Sequence, residues 1–368
     1  MQARLVAVRE ASRRVAGLDA LRGVAIGLVL LRHALPDLFG GAGIVGVLIF
    51  FVLSGYLITS LLLKDLSRYR RVRYGRFYRN RAIRLLPPLA FLLIGVCVVS
   101  LLANPLGDRA GLGRSLFLAL TYTANLPIDL GSPAIAHLWT LSTEEQFYLL
   151  WPLLLGLSFK RSSYRLLLAT AVPAIVVALA LTLVLSAPNF ERIYGLFTSW
   201  AIGLVIGAAC AIYRSQLMSV FSHRMWAIAL TASGVAITVA CLLPEPKSQW
   251  WGYLVLGPMA SACAAIWVLR LSNAQSVPRA FGPLLWLATI SYAAYLWNYP
   301  ATLWLEASDI PSASLWAVPL TLLLAQLSWW VVETPFNRLR AYLDRRSSTA
   351  TPTPSTSLDS RLADEGLA

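Results

Sequence analysis

Long apolar segments alternate with short polar ones along almost the whole chain. Each apolar segment holds about 20 residues, the length with which an α-helix crosses the hydrocarbon core of a bilayer. Ten such segments are predicted to span the membrane, at residues 17–36, 43–63, 85–103, 137–158, 164–186, 193–213, 225–243, 251–270, 284–305 and 313–333. The pattern predicts an all-α fold, a polytopic bundle of about ten transmembrane helices with both termini in the cytoplasm.

Composition agrees with this prediction, and the distribution of charge gives the orientation. Only 13% of the 368 residues are charged, whereas soluble domains carry about 25%. The net charge is +14, and the basic residues lie mostly between the apolar segments. This distribution is typical of cytoplasmic loops and not of a nucleic-acid-binding surface. In the predicted topology, 25 of the 31 Lys and Arg residues are cytoplasmic. We therefore expect membrane lipids, and no nucleic acid, as partners.

The chain is predicted to form one membrane domain, residues 1–344. The tail at residues 345–368 is rich in Ser, Thr and Pro, and this composition favours disorder. All four cysteines lie in apolar stretches without paired spacing, so they are interpreted as core residues and not as disulfides or metal ligands. No His-Glu-x-x-His motif is present, and we expect no metal.

The first apolar segment carries two ionisable residues on one helix face. Arg22 and His33 are eleven positions apart, so an α-helix brings them to within roughly 20° of each other and about 16 Å apart along its axis. Ionisable groups in a spanning helix cost about 2.5–3.5 kcal/mol each on insertion scales, and they indicate a functional site by default. A packing or hydrogen-bonding role is the alternative for a single histidine.

Two adjacent glutamates, Glu144 and Glu145, occupy the fourth apolar segment. Glu144 lies two turns into it, about 10 Å below its outer end. His33 and the two carboxylates are therefore predicted to share one depth in the outer half of the bundle. A carboxylate on one ring nitrogen of a histidine fixes the tautomer, and the other nitrogen can then act as a general base toward a hydroxyl. A contact at a helix terminus or a structural ion pair with Arg32 is the competing interpretation.

A basic stretch, FYRNRAIRLLPP, precedes the third apolar segment. Arg81 and Arg84 are three residues apart, so on a helix they share a face that can hold phosphates. Together with Arg22 they could bind a phosphorylated carrier whose long, thin acyl arm extends toward His33. Basic residues beside a membrane helix also determine topology or contact lipids, which is the alternative for this stretch.

Six motifs occur in order along the chain: LDALRGVAIGLVLLRH, GVLIFFVLSGYLIT, FYRNRAIRLLP, HLWTLSTEEQFYLLWP, SYAAYLWNYP and VVETPFNRL. From about Leu18 to Arg340 the chain resembles the membrane-bound acyltransferase-3 family, the O-acyltransferases of polysaccharides, lipopolysaccharide and macrolides. Two positions depart from the family pattern. Thr140 replaces a serine, and Asn298 stands where many members have histidine, so no second base is expected in the ninth helix.

The resemblance implies an acyl-CoA donor on the cytoplasmic side of a bacterial plasma membrane, with acetyl as the expected acyl group. It implies a hydroxyl acceptor, commonly a sugar. His33 is expected to deprotonate the acceptor with support from Glu144, while Glu145 shapes the site. The CoA end of the donor is expected to be held by Arg22, Arg81 and Arg84.

We therefore expect an integral membrane O-acyltransferase that modifies a cell-envelope or extracellular glycan. A macrolide or other small secondary metabolite is the alternative acceptor. A proton-coupled transporter is the alternative from another class, since buried charge in a helical bundle also serves transport. No inverted repeat is visible, however, and the arginine stretch is not needed for transport. The outward position of His33 favours transfer to an acceptor outside the cell.

Overall fold

The computed structural model describes residues 15–160 and 164–349, and within these residues it contains helices and no β-strand. The α-helices are α1 Ala16–Ala34, α2 Ala42–Tyr69, α3 Tyr74–Leu102, α4 Leu112–Leu120, α5 Trp139–Lys160, α6 Tyr164–Ser186, α7 Phe197–Ile212, α8 Arg214–Val220, α9 His223–Leu242, α10 Gly257–Leu271, α11 Gly282–Glu306, α12 Ala313–Ser328 and α13 Thr334–Thr349. Short π-helical segments precede α10 and α13. The prediction of an all-α fold is confirmed.

A helix lies at each of the ten predicted segments, but they differ in their capacity to span a membrane. By length and composition seven helices of the described part can cross a bilayer, or eight if α7 and α8, which meet at a bend of 80°, form one span. The charged and polar residues of α1 and α5 exclude these two helices from that set. The count of ten spans and the cytoplasmic position of both termini therefore stay predictions.

Two boundaries differ from their predicted positions. Helix α3 begins at Tyr74 and not near residue 85, so the arginine stretch is part of the helix and Pro87 and Pro88 lie in its interior. Helix α13 continues to Thr349, past the predicted domain boundary at residue 344. The rest of the predicted tail, residues 350–368, lies outside the described residues.

Helix α2 lies at the centre of the bundle, packed against α1, α7 and α10. Close approach to α7 depends on glycine. A Cβ atom at Gly55 would overlap the backbone carbonyl of Leu204, and one at Gly207 would overlap the carbonyl of Val52. Small residues at such an interface are the usual means by which membrane helices come into close contact, because van der Waals packing replaces the missing hydrophobic driving force.

Helices α1, α3, α5 and α11 bring the predicted site residues together. Helix α1 packs against both α2 and α11. The first turns of α3 are held by Asp344 of α13, whose carboxylate accepts hydrogen bonds of 3.0 Å from Arg76 and Arg79. This contact fixes the part of α3 that leads directly into Arg81 and Arg84.

Candidate active site

Two cavities lie between these helices, and they divide the predicted site residues between them. The histidine cavity, of about 430 Å³, is lined by His33 and His137. The arginine cavity, of about 130 Å³, is lined by Arg22, Arg81 and Arg84. The three predicted arginines therefore lie together on one cavity, and the predicted base lies on the other.

Asn298 orients the imidazole of His33. The ring nitrogen Nδ1 of His33 is hydrogen-bonded to Oδ1 of Asn298, while Nδ2 of Asn298 donates to the hydroxyl of Thr321 at 3.4 Å. Because the amide oxygen can only accept, Nδ1 of His33 carries the proton. The Nε2 atom is left with a free lone pair, which is the form of histidine that can act as a base.

A second histidine, His137, lines the same cavity. The ring of Tyr299 contacts both imidazoles, with centroid distances of 5.6 Å to His33 and 5.5 Å to His137. His137 lies in a 3₁₀ turn, Pro133–Leu138, directly before α5. His137 is buried, and it forms part of the wall of the cavity.

Charged side chains lie at the edge of the histidine cavity. Arg32 forms an ion pair of 3.1 Å with Glu245, and Lys247 approaches the same carboxylate at 3.4 Å. Arg32 is therefore paired with the turn that follows α9. The competing interpretation of Glu144 and Glu145 as ion-pair partners of Arg32 is wrong in this structure.

In the arginine cavity, two of the three arginines have carboxylate partners. Arg22 pairs with Asp19 at 2.5 Å on the same helix. Arg81 pairs with Glu145 at 2.9 Å, and its guanidinium lies 3.3 Å from the ring centroid of Tyr148. The Nε atom of Arg81 has no hydrogen-bond partner among the described residues. The Nε–H group of Arg81 is thus available to a ligand.

Arg84 differs from the other two arginines. Its side chain is exposed and lines the arginine cavity, and within residues 15–160 and 164–349 it has no hydrogen bond or ion pair. Arg22 and Arg81 both act on it electrostatically. Asp19 and Glu145 already pair with Arg22 and Arg81, so Arg84 is the guanidinium of the three that is left to attract an anion. Phosphate groups fit such a site because arginine binds them through two parallel hydrogen bonds.

Glu144 belongs to the arginine cavity and not to the histidine cavity. Its carboxylate accepts a hydrogen bond of 2.7 Å from Ser54, and both residues line the arginine cavity. The predicted pairing of His33 with Glu144 is therefore absent, and Asn298 takes that place. The reason is depth, because His33 lies beside His137, and Glu144 is seven residues, or about 10 Å of helix, further along.

Tyr295 and Val47 separate the two cavities, since both line each of them. The hydroxyl of Tyr295 donates to the backbone carbonyl of His137 at 2.9 Å and accepts from the hydroxyl of Thr140 at 2.7 Å. Thr140 lines the arginine cavity. A chain of hydrogen bonds through Tyr295 therefore connects the walls of the two cavities.

The sequence interpretation missed the partners supplied by α11. Helix α11 carries four polar residues on one face, because they are spaced at i, i+3, i+4 and i+7. They are Tyr295, Asn298, Tyr299 and Thr302. Tyr295, Tyr299 and Thr302 line the histidine cavity, and Asn298 holds His33. Four residues with polar groups on one face of an apolar helix were the available signal. Among the described residues, no three His, Cys, Asp or Glu side chains form a cluster that could hold a metal ion.

A comparison with known families matches residues 15–333 to the acyltransferase-3 model, described as an acyltransferase domain. With the seven or more apolar helices, this match identifies a multi-pass membrane protein. The resemblance predicted from the six motifs is confirmed. No solved structure matches the chain.

Three curated relatives show how far the similarity extends. Peptidoglycan O-acetyltransferase OatA of Listeria monocytogenes is 28% identical over 355 residues, which is 90% of this chain and 57% of that protein. Putative peptidoglycan O-acetyltransferase YrhL of Bacillus subtilis is 32% identical, over 88% of this chain and 55% of the relative. O-acetyltransferase OatA of Staphylococcus aureus is 27% identical, over 89% and 58%. The chain thus spans somewhat more than half of the length of these relatives.

Proposed function

We propose that this chain, which belongs to the acyltransferase-3 family, is a membrane O-acetyltransferase that moves an acetyl group from acyl-CoA to a hydroxyl of a cell-wall glycan. The observation that carries the proposal is the pair of cavities, one lined by three arginines and the other by His33, which meet at Tyr295 and Val47. A donor with an anionic end and an acyl group at the tip of a long arm matches this arrangement.

The arginine cavity is the proposed binding site for the phosphate end of the donor. Arg84 has no ion-pair partner in the described part of the chain, and Nε of Arg81 is unpaired there, so both can bind phosphate oxygens without giving up an existing contact. Arg22 adds a third positive charge. When bound, acyl-CoA supplies an acyl group activated as a thioester. Glu145 keeps Arg81 in position through its ion pair, and Glu144 holds Ser54 at the wall of this cavity.

In the histidine cavity, His33 is the proposed general base. Its Nε2 atom accepts the proton of the acceptor hydroxyl, and the resulting alkoxide-like oxygen becomes the nucleophile for the acyl carbon. Asn298 contributes by holding the proton on Nδ1. General-base catalysis of this kind accelerates a reaction by roughly 10²–10⁴-fold.

A glycan acceptor is favoured by the relatives, two of which are named for peptidoglycan O-acetylation. The walls of the histidine cavity also suit a sugar. Trp139, Tyr194 and Tyr299 offer aromatic faces, and Arg32 and Glu245 offer charged groups at the edge. Ligand sites typically combine apolar walls of this kind with a few polar groups that fix orientation.

The test is a transfer assay with the purified protein, acetyl-CoA and peptidoglycan fragments. The wild-type protein is expected to release CoA thiol and to add acetyl groups to the glycan, detected by mass spectrometry. His33→Ala is expected to abolish transfer, whereas His223→Ala, at the exposed start of α9, is expected to retain it. Full activity of His33→Ala would refute the assignment of the base. Uptake of a solute without thiol release would favour a transporter instead.

A further inference from the structure

His137 carries hydrogen-bonding groups that the roles above leave unused. Its residue surface is 7% exposed, and neither ring nitrogen has a hydrogen-bond partner within the described ranges. The backbone groups of Ala134 and Leu296 lie near the ring without meeting hydrogen-bond geometry. Leaving a buried donor unpaired is unfavourable, so a polar group in this state calls for an explanation, and a ligand is one.

The position of His137 indicates which part of a ligand it would meet. It lines the histidine cavity together with His33. Its backbone carbonyl is held by the hydroxyl of Tyr295, the residue that separates the two cavities. His137 therefore lies at the end of the histidine cavity nearest the arginine cavity. An acyl group that arrives past Tyr295 reaches this end first.

The two histidines can take complementary hydrogen-bonding roles toward one ligand. Because Asn298 holds the Nδ1 proton of His33, His33 offers the lone pair of Nε2 and acts as an acceptor. A neutral imidazole always carries one N–H group, and no protein acceptor in the described residues binds that of His137. His137 thus has an N–H group free to act as the donor of the pair.

We propose that His137 is a catalytic residue that donates a hydrogen bond to the carbonyl oxygen of the acyl group, an inference that rests on the proposed function. As the acceptor oxygen bonds to the acyl carbon, the C–S bond of the thioester breaks. The hydroxyl proton passes to Nε2 of His33 and from there to the leaving sulfur. Negative charge develops meanwhile on the carbonyl oxygen, where a preoriented donor lowers the barrier.

The test compares two replacements of similar size, His137→Gln and His137→Leu, in the purified full chain with acetyl-CoA and peptidoglycan fragments. Glutamine keeps an N–H donor and leucine does not. Loss of one such donor typically lowers kcat by about 10²–10³-fold. We expect a loss of that size for His137→Leu, at an unchanged KM for acetyl-CoA, and a clearly smaller loss for His137→Gln. His223→Ala is the matched control and should keep wild-type kcat.

Three outcomes would overturn the inference while leaving the proposed function intact. One is a wild-type kcat in His137→Leu, another is an equal loss of kcat in both variants, and the third is a rise in KM at constant kcat. Binding of CoA and monodisperse elution establish that each variant is folded. If His137→Leu does not purify, His137→Ala replaces it. Absence of acetyl transfer in the wild-type protein would instead refute the proposed function, and this inference with it.

Discussion

Asn298 of α11 accepts a hydrogen bond from Nδ1 of His33, across 265 positions of sequence. The contact fixes the tautomer in which Nε2 is free, and Thr321 fixes the direction of the amide. Residues that orient a functional histidine typically change activity by roughly 10- to 100-fold when they are replaced, as measured for metal-bound histidines. This relationship gives Asn298 a positioning role that can be tested.

We predict that Asn298→Leu lowers kcat for acetyl transfer by roughly 10- to 100-fold, because the proton of His33 is no longer held on Nδ1. The measurement is the initial rate of thiol release at saturating acetyl-CoA. Thr321→Val removes only the contact that orients the amide, so a smaller loss is expected. An unchanged kcat in Asn298→Leu would show that His33 needs no partner.

The course of the helices was predictable from the sequence, and the depth at which their side chains meet was not. The spacing of Arg81 and Arg84 predicted a shared helix face, and both line one cavity with Arg22. The prediction that Glu144 lies beside His33 assumed that the two residues lie at the same depth. That depth depends on the offset of α1 and α5 along their axes. Apolar length does not fix that offset, and His137 occupies the level of His33 instead.

Long-range polar partners were the other feature that the sequence did not show. The partner of His33 lies on α11 and that of Arg32 in the turn after α9. An asparagine where histidine is usual excluded a second base, yet it gave no indication that the amide would orient the first one. The pairing of His33 follows from the packing of α1 against α11, which local patterns do not encode.

Arg84→Gln should weaken donor binding without loss of stability. Arg84 has no hydrogen bond or ion pair within the described part of the chain, so its replacement breaks no such bond. A hydrogen bond to a charged group contributes about 1.5–3 kcal/mol, which corresponds to a rise in the KM for acetyl-CoA of roughly 10- to 100-fold. The measurement is the dependence of the initial rate on acetyl-CoA concentration.

The control for Arg84 is Arg71→Gln, an exposed arginine between α2 and α3. It removes the same charge from the same basic region but lines neither cavity, so its KM should equal that of the wild type. If both variants changed KM equally, the effect would arise from the overall charge of this surface and not from a binding site.

Glu145→Gln should destabilise the protein through Arg81. The ion pair of 2.9 Å is largely shielded from solvent, and its loss leaves the guanidinium beside the ring of Tyr148 without its hydrogen-bonded carboxylate. The expected loss of stability is roughly 1–3 kcal/mol. It would appear as a lower midpoint of thermal unfolding in detergent, whereas Glu191→Gln, at an exposed turn before α7, should have no effect.

A double variant separates the ion pair from other effects of Glu145. If the pair carries the effect, Arg81→Gln combined with Glu145→Gln should be less destabilising than the sum of the two single changes, because the second replacement removes the uncompensated charge. Strict additivity would mean that Glu145 acts through another contact.

Gly55→Ala should destabilise the contact between α2 and α7 at the centre of the bundle. The added methyl group would overlap the backbone carbonyl of Leu204, and backbone cannot move aside as a flexible side chain can. Overpacking of this kind costs typically about 1–3 kcal/mol, so the midpoint of thermal unfolding should fall. Gly27→Ala is the matched control, since a Cβ atom there meets no atom within 4 Å and alanine favours the helix. Equal melting of the two variants would contradict the close approach of α2 and α7.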